Sequence, residues 1–208
     1  MEIDKVFENN KEWVNAHLEL DNDYFKNLSK GQSPSILYIG CSDSRVPAES
    51  LMGAEPGEVF VTRYVANGVS NLDMSSTSVI NYAVSHLKVS NLVVCGHYFC
   101  GGVAAAMGSN NMEILNPWLS SIRDVARLHK NELDSISDDN ERYNRLVELN
   151  VQEQCVNAVK LPDVQKAYRE GNLKIHGWVF DIHSGLLIDL KLDMKKILGD
   201  IHSTYHLE

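Results

Sequence analysis

The chain has 208 residues, a length that predicts one domain able to bury a core without disulfide bonds. Its 19 Lys and Arg residues against 28 Asp and Glu residues give a formal net charge of −9, which argues against nucleic acid as a partner, because that role needs a basic face. No stretch approaches the ~20 apolar residues of a membrane span, and the segment Met1–Lys5 lacks the basic start and apolar run of a signal peptide, so we expect a cytoplasmic protein with no membrane partner.

Apolar spacing predicts helices that alternate with strands. The expected elements are a helix over 3–18, a short helix over 21–28, strands over 36–39 and 58–62, a helix over 75–87, a strand over 91–95, helices over 103–107, 114–129, 139–159 and from 162, and strands over 174–180 and 186–190. This alternation predicts an α/β fold with a mainly parallel central sheet flanked by helices. The last two strands are candidates for an antiparallel edge.

Two of the predicted strands end in polar segments. The first segment, 40–45, reads Gly-Cys-Ser-Asp-Ser-Arg, and the second, 95–102, reads Cys-Gly-His-Tyr-Phe-Cys-Gly-Gly. Sites in parallel sheets form beyond the carboxyl ends of the strands, so Cys41, His97 and Cys100 converge if the two strands are neighbours. Two thiolates and one imidazole suit zinc, and three protein ligands leave a fourth position open, as in a catalytic site.

Plainer interpretations of these cysteines compete with metal binding. A lone cysteine at a strand end is usually a small buried hydrophobe, and a lone His-x-x-Cys is a weak signal. A structural zinc would need a fourth ligand, which Cys155 could supply, although its helical pattern favours the core. Cys95 belongs to the apolar strand and is expected in the core. The uneven spacing of the four cysteines favours metal binding or burial over disulfides.

Asp43 and Arg45 follow the first candidate ligand. Residues two apart in an extended chain point the same way, so these side chains can form a bidentate ion pair. The alternative is a surface ion pair, which contributes little to stability. Gly101 and Gly102, after the last candidate ligand, permit close backbone approach and offer amide donors to an anion.

Taken together, these segments resemble the β-class carbonic anhydrases. The resemblance rests on Cys-Ser-Asp-Ser-Arg-Val-Pro at 41–47 and His-Tyr-Phe-Cys-Gly-Gly-Val at 97–103, with further matches at 55–60, 63–67, 175–178 and 185–187. It covers roughly residues 30–190, and the form His-Tyr-x-Cys-Gly-Gly resembles the bacterial branch. The resemblance implies reversible hydration of carbon dioxide to bicarbonate and a proton, with one Zn²⁺ per chain.

The resemblance also implies roles for individual residues: Cys41, His97 and Cys100 as zinc ligands, Asp43 and Arg45 as the catalytic dyad, Gln32 as a contact to substrate across a dimer interface, and Gly102 as an amide donor to bicarbonate. Zinc lowers the pKa of a coordinated water. Because two thiolates neutralise the ion, we expect a higher water pKa than in a three-histidine site, and activity that favours alkaline pH. In this scheme Asp43 orients the nucleophile and Arg45 keeps Asp43 ionised.

An oligomer follows from the same resemblance. Family members are dimers or higher even oligomers such as tetramers, in which N-terminal helices extend onto the partner subunit. We therefore expect a single domain over 1–208, composed of a helical arm over 1–30, a catalytic core over 31–190 and a C-terminal tail over 191–208.

Regulation is where the chain departs from its relatives. Some bacterial members resemble two-state switches, in which bicarbonate binds a pocket formed by a Trp, an Arg and a Tyr. The matching positions here are Tyr38, Arg63 and Phe180. Phe180 has no hydroxyl and Tyr38 offers a phenol at a different reach, so we expect weak inhibition by bicarbonate.

Two other functions remain open at this stage. The metal motif is shared with relatives that hydrolyse carbon disulfide or carbonyl sulfide. A non-catalytic zinc-containing binding domain is the other alternative, and the intact Asp43 and Arg45 pair argues against it.

Overall fold

The structure is a computed structural model that describes residues 2–109 and 111–207. It separates into two compact units, one that runs to Ser33 and one that begins at Pro34. None of the helices in the described part of the chain has both the length and the apolar character needed to cross a membrane.

The first unit contains two helices, α1 (Ile3–Leu20) and α2 (Tyr24–Leu28). Aromatic rings hold them together, with Trp13 and Phe25 centroids 5.2 Å apart and His17 and Tyr24 centroids 4.6 Å apart. No residue of α1 is buried.

The second unit contains a five-stranded sheet and eight further helices among the described residues. The strands are β1 (Ile36–Cys41), β2 (Val59–Tyr64), β3 (Asn91–His97), β4 (Lys174–Asp181) and β5 (Leu186–Asp189). The helices are α3 (Ala48–Met52), α4 (Met74–Asn81), α5 (Gly101–Met107), α6 (Asn116–Leu128), α7 (Lys130–Asp134), α8 (Asp139–Val159), α9 (Pro162–Arg169) and α10 (Met194–Tyr205).

The sheet has the strand order β2-β1-β3-β4-β5. The first four strands are parallel, and β5 pairs with β4 in the antiparallel direction. This topology confirms the predicted α/β class and the antiparallel edge. Its main consequence is that β1 and β3 are neighbours, with Gly40 opposite Cys95, so their carboxyl ends meet at one edge.

The two faces of the sheet carry different cores. Side chains such as Leu37, Ile39 and Val94 join the main core, which includes buried residues of α6 and α8. The opposite face carries a smaller cluster around Tyr38, with Val93, Cys95 and Ala48. The long helix α8 can lie close to the sheet because Gly96 has no side chain. A Cβ at this position would stand 2.6 Å from Val151.

Some elements differ from the predictions. The helix expected over 75–87 divides into α4 and a π-helical segment, Tyr82–His86. The segment predicted as a C-terminal tail contains α10. Asp193, which caps the start of this helix, accepts a hydrogen bond from the Lys196 amide through its side chain. The short helices α3 and α7 were not predicted, because five residues are too few to show a helical period.

Candidate metal centre

The strands bring Cys41 and His97 together because each residue ends one of two neighbouring parallel strands. Cys100 immediately precedes α5. All three side chains are buried, and one donor atom from each lies within 4.8 Å of the others. The two sulfur atoms are 4.0 Å apart.

The imidazole of His97 is oriented by the next residue. Its Nδ1 donates to the Tyr98 carbonyl oxygen at 2.9 Å, which leaves Nε2 with a free lone pair. Nε2 is buried and has no hydrogen-bond partner among the described residues. Such an orphaned buried polar atom is costly, and a metal ion bound by this nitrogen and the two sulfurs would remove the cost.

The dimensions of the cluster fit zinc. Two thiolates about 2.3 Å from a tetrahedral zinc stand about 3.8 Å apart, close to the 4.0 Å between Cys41 and Cys100. The donor set of two thiolates and one imidazole is also one that zinc prefers. The described residues fit a zinc site with three protein ligands.

The two cysteines differ electrostatically. A hydrogen bond from Cys100 lowers the pKa of the Cys41 thiol, and the same pairing, together with burial, raises the pKa of Cys100. The Ala66 amide donates to the Cys41 sulfur at 3.3 Å. Both sulfurs would bind a metal as thiolates, so metal binding releases the thiol protons that the pair holds.

Asp43 and Arg45 form the bidentate pair that their spacing allows. Arg45 Nε donates to Asp43 Oδ1 at 2.9 Å and its Nη2 donates to Oδ2 at 2.7 Å. These hydrogen bonds hold the pKa of the Asp43 carboxyl well below its usual range. Arg45 Nη2 also donates to the Phe99 carbonyl at 3.1 Å, which ties the pair to the turn between His97 and Cys100. Asp43 Oδ2 lies 3.8 Å from His97 Nε2.

Two tyrosines that sequence reasoning did not single out brace the turn. The Tyr98 hydroxyl donates to Glu148 Oε1 at 2.8 Å, and the Tyr143 hydroxyl donates to the Cys100 carbonyl at 3.0 Å. Their partners are distant in sequence, so no local motif reveals these contacts. Tyr98 does lie inside the 97–103 segment, between two predicted metal ligands, and this position was the one sequence signal that could have singled it out.

Gly102 has a packing role in addition to its predicted one. A Cβ at this position would lie 2.9 Å from Val65 Cγ1 and 3.2 Å from Ala66 Cβ, so only glycine lets α5 begin this close to the 65–66 segment. Gln32 is exposed in the first unit, and its contact with substrate stays a prediction. Cys95 and Cys155 are buried outside the three-residue cluster.

The three positions predicted as a regulatory pocket have different environments. Tyr38 is fully buried, and its hydroxyl has no hydrogen-bond partner among the described residues. Phe180 packs, partly buried, against the same small cluster. Arg63 donates from Nε to the Cys41 carbonyl at 2.8 Å and from Nη2 to the Asp43 carbonyl at 2.5 Å. The guanidinium is therefore bonded to the segment that follows β1.

Comparison with known proteins identifies the family. Residues 36–187 match the family model described as carbonic anhydrase. A carbonic anhydrase of Emericella nidulans is 57% identical over 205 residues, which cover 98% of this chain and 90% of that protein. Carbonic anhydrase 1 of Escherichia coli O157:H7 is 38% identical over 167 residues, covering 77% of this chain and 75% of that protein. The chain belongs to the carbonic anhydrase family.

Solved structures specify the class. A β-carbonic anhydrase of Sordaria macrospora, from a study of two tetrameric enzymes, superposes with a TM-score of 0.86 at 40% identity over 90% of this chain and 95% of that one. The Coccomyxa β-carbonic anhydrase, solved with acetazolamide, gives a TM-score of 0.89 at 34% identity over 99% of this chain and 97% of that one. Within its family, the chain is a β-class carbonic anhydrase.

Proposed function

We propose that this chain catalyses the reversible hydration of carbon dioxide to bicarbonate and a proton, with one zinc ion bound by Cys41, His97 and Cys100. The observation that carries the proposal is the buried cluster of these three side chains, in which His97 Nε2 is orphaned beside the Asp43 carboxylate. When bound, zinc would lower the pKa of a coordinated water and so supply a nucleophile near neutral pH.

Asp43 is the residue placed to orient that nucleophile. Its ionised carboxylate can only accept hydrogen bonds, and Oδ2 faces the cluster at 3.8 Å from His97 Nε2. If Oδ2 accepts a hydrogen bond from the nucleophile, it would direct a lone pair of the nucleophile's oxygen at the carbon of carbon dioxide.

Arg45 maintains Asp43 in this role. Its guanidinium stabilises the carboxylate and turns it away from direct metal binding through two hydrogen bonds. Gly102 would donate its amide to bicarbonate, and Gln32 would reach the substrate from a partner subunit.

We also propose a homo-oligomer, a dimer or a tetramer. The tetrameric Sordaria enzymes support it, as does α1, which exposes Ile3 and Phe7 at 75% and 70% of their surfaces. Large apolar side chains in such positions favour coverage by a partner.

A cytoplasmic location belongs to the same proposal. All four cysteines are free, and a reducing compartment keeps the two thiol ligands available to the metal. Imaging of a fluorescent fusion in the source cell tests it, and accumulation in an oxidising compartment would contradict it.

A stopped-flow hydration assay on purified protein, with metal content measured on the same sample, tests the function. We expect hydration well above the buffer rate and about one zinc per chain. Carbon disulfide and carbonyl sulfide are offered in parallel. Turnover of either one without hydration of carbon dioxide would contradict the proposal, as would a zinc-loaded protein with no activity.

A further inference from the structure

The metal centre is contacted by an unusual backbone segment. Ala66 has φ 55° and ψ 41°, and Asn67 has φ 48°. This left-handed conformation is costly for Ala66, whereas asparagine tolerates it better than most residues that carry a Cβ. Both residues are buried, with exposures of 1% and 2%. The Ala66 amide is the group that donates to the Cys41 sulfur, so the shape of this segment fixes a contact to a proposed metal ligand.

One face of α8 holds the segment in place. Asn150, Gln154 and Asn157 stand at i, i+4 and i+7 on that helix, and we call them the carboxamide ladder. Asn150 Nδ2 donates to the Ala66 carbonyl at 3.0 Å. The Val69 amide donates to Gln154 Oε1 at 2.8 Å.

The ladder is also bonded along its own length. Gln154 Nε2 donates to Asn150 Oδ1 at 3.1 Å, and Asn157 Nδ2 donates to Gln154 Oε1 at 3.3 Å. Asn157 Nδ2 reaches the Val69 carbonyl as well, at 3.2 Å. Asn150 and Gln154 are 1% and 2% exposed. Burying carboxamides is costly unless they are hydrogen-bonded, and each of these three side chains makes one hydrogen bond to the backbone of residue 66 or 69.

We propose that the carboxamide ladder holds Ala66 and Asn67 in the left-handed conformation that aims the Ala66 amide at Cys41. Asn150 and Gln154 are then positioning residues for the metal centre. This inference rests on the proposed zinc site. The segment also touches the other end of the cluster, because Ala66 packs against Gly102, two residues after Cys100. Relaxation of the turn would disturb the surroundings of both sulfur ligands.

The test compares metal binding in the full-length wild-type protein and in Asn150→Leu and Gln154→Leu. Zinc affinity is measured by competition with a chromophoric chelator. Co²⁺-substituted samples report the thiolate-to-metal charge-transfer bands. We expect zinc affinity to fall about tenfold, the lower end of the effect of removing a direct partner of a metal ligand, because the ladder acts through the Ala66 amide. The charge-transfer bands should shift as well.

Two controls separate positioning from general stability. Val164→Ala removes buried volume on α9. Gln152→Ala changes α8, the helix that carries the ladder, at a side chain hydrogen-bonded to Glu153. Both should keep wild-type zinc affinity and cobalt spectra, whatever they do to the melting temperature. Asn157→Ala, which removes the bond to the Val69 carbonyl, gives a milder version of the test if Asn150→Leu fails to fold.

The inference is overturned if the ladder variants bind zinc with wild-type affinity and spectra. It is also overturned if Val164→Ala weakens zinc as much at an equal loss of melting temperature. A wild-type protein that binds no zinc would instead refute the proposed function, so the two failures are distinguishable.

Discussion

Among single residues, Cys41, His97 and Cys100 carry the proposed metal, and each supplies one of only three protein donors. Replacing any one with Ala should remove most of the zinc and the activity, because the remaining two donors form a much weaker site. Elemental analysis of the purified variants measures the loss.

The matched control for the ligand variants is Cys155→Ser. Cys155 is fully buried but lies outside the three-residue cluster, so this variant should retain zinc even if it loses stability. Full zinc occupancy in Cys41→Ala would show that the ligand assignment is wrong.

Replacing Asp43 should have a different effect, because in the proposed mechanism this residue orients a reactant and is not a metal ligand. Asp43→Ala should keep zinc and lose turnover by on the order of 10²-fold, the scale of effect expected when a reactive group is misplaced. Arg45→Ala should also keep zinc and lose activity, since the carboxylate loses both side-chain hydrogen bonds that hold it. Stopped-flow rates normalised to zinc content check this, and near wild-type turnover in either variant would refute the dyad.

Sequence reasoning predicts the metal centre better than its surroundings. Cys41, His97 and Cys100 are residue types with a specific chemistry, and the strand ends that carry them are visible as apolar runs. The donor from Ala66 is invisible in the sequence, because a backbone amide has no residue type and its direction depends on a left-handed turn. Asn150 and Gln154 offered a weak signal, as polar residues at helical spacing in an otherwise apolar face.

The predicted regulatory positions lie on three strands of the sheet that positions the proposed zinc ligands. Tyr38 lies on β1, Arg63 on β2 and Phe180 on β4. Arg63 is already bonded to two carbonyl oxygens, and Phe180 offers no hydroxyl. A hydrogen bond to a charged group contributes about 1.5–3 kcal/mol, so losing one should weaken regulatory anion binding roughly tenfold or more.

We therefore predict weak inhibition by bicarbonate and a shallow decline of activity as pH falls. Hydration rates measured against pH at several bicarbonate concentrations test this. The double variant Phe180→Tyr with Tyr38→Trp should gain bicarbonate sensitivity. A steep, cooperative shutdown of the wild-type enzyme that bicarbonate enhances would contradict the prediction.

Element prediction succeeded where burial leaves a clear pattern of apolar residues. The central strands β1 and β3 are almost continuously buried, so their apolar runs were readable. The π-helical segment after α4 was not, because a single widened turn leaves the apolar spacing nearly unchanged. The tail helix α10 did have a signal, since Met194, Ile197, Leu198 and Ile201 follow helical spacing and are shielded from solvent.

For the whole molecule, the N-terminal arm should decide assembly. Deleting residues 1–20 removes α1 with its exposed Ile3 and Phe7. The oligomer should then dissociate at a higher protein concentration than the wild type does, and it should lose activity as it dissociates. Sedimentation velocity at assay concentration measures this. A fully active monomer would contradict the oligomer and the predicted role of Gln32 together.

Zinc-dependent hydration by this chain can be measured in a single titration. Zinc is added to metal-free protein while the initial rate of carbon dioxide hydration is followed, with Asp43→Ala as a parallel sample. We predict that the rate rises in proportion to bound zinc and stops rising at about one zinc per chain, while Asp43→Ala binds the same zinc with little gain in rate. Stoichiometric zinc binding without hydration above the buffer rate would show that this chain is not a zinc-dependent carbon dioxide hydratase.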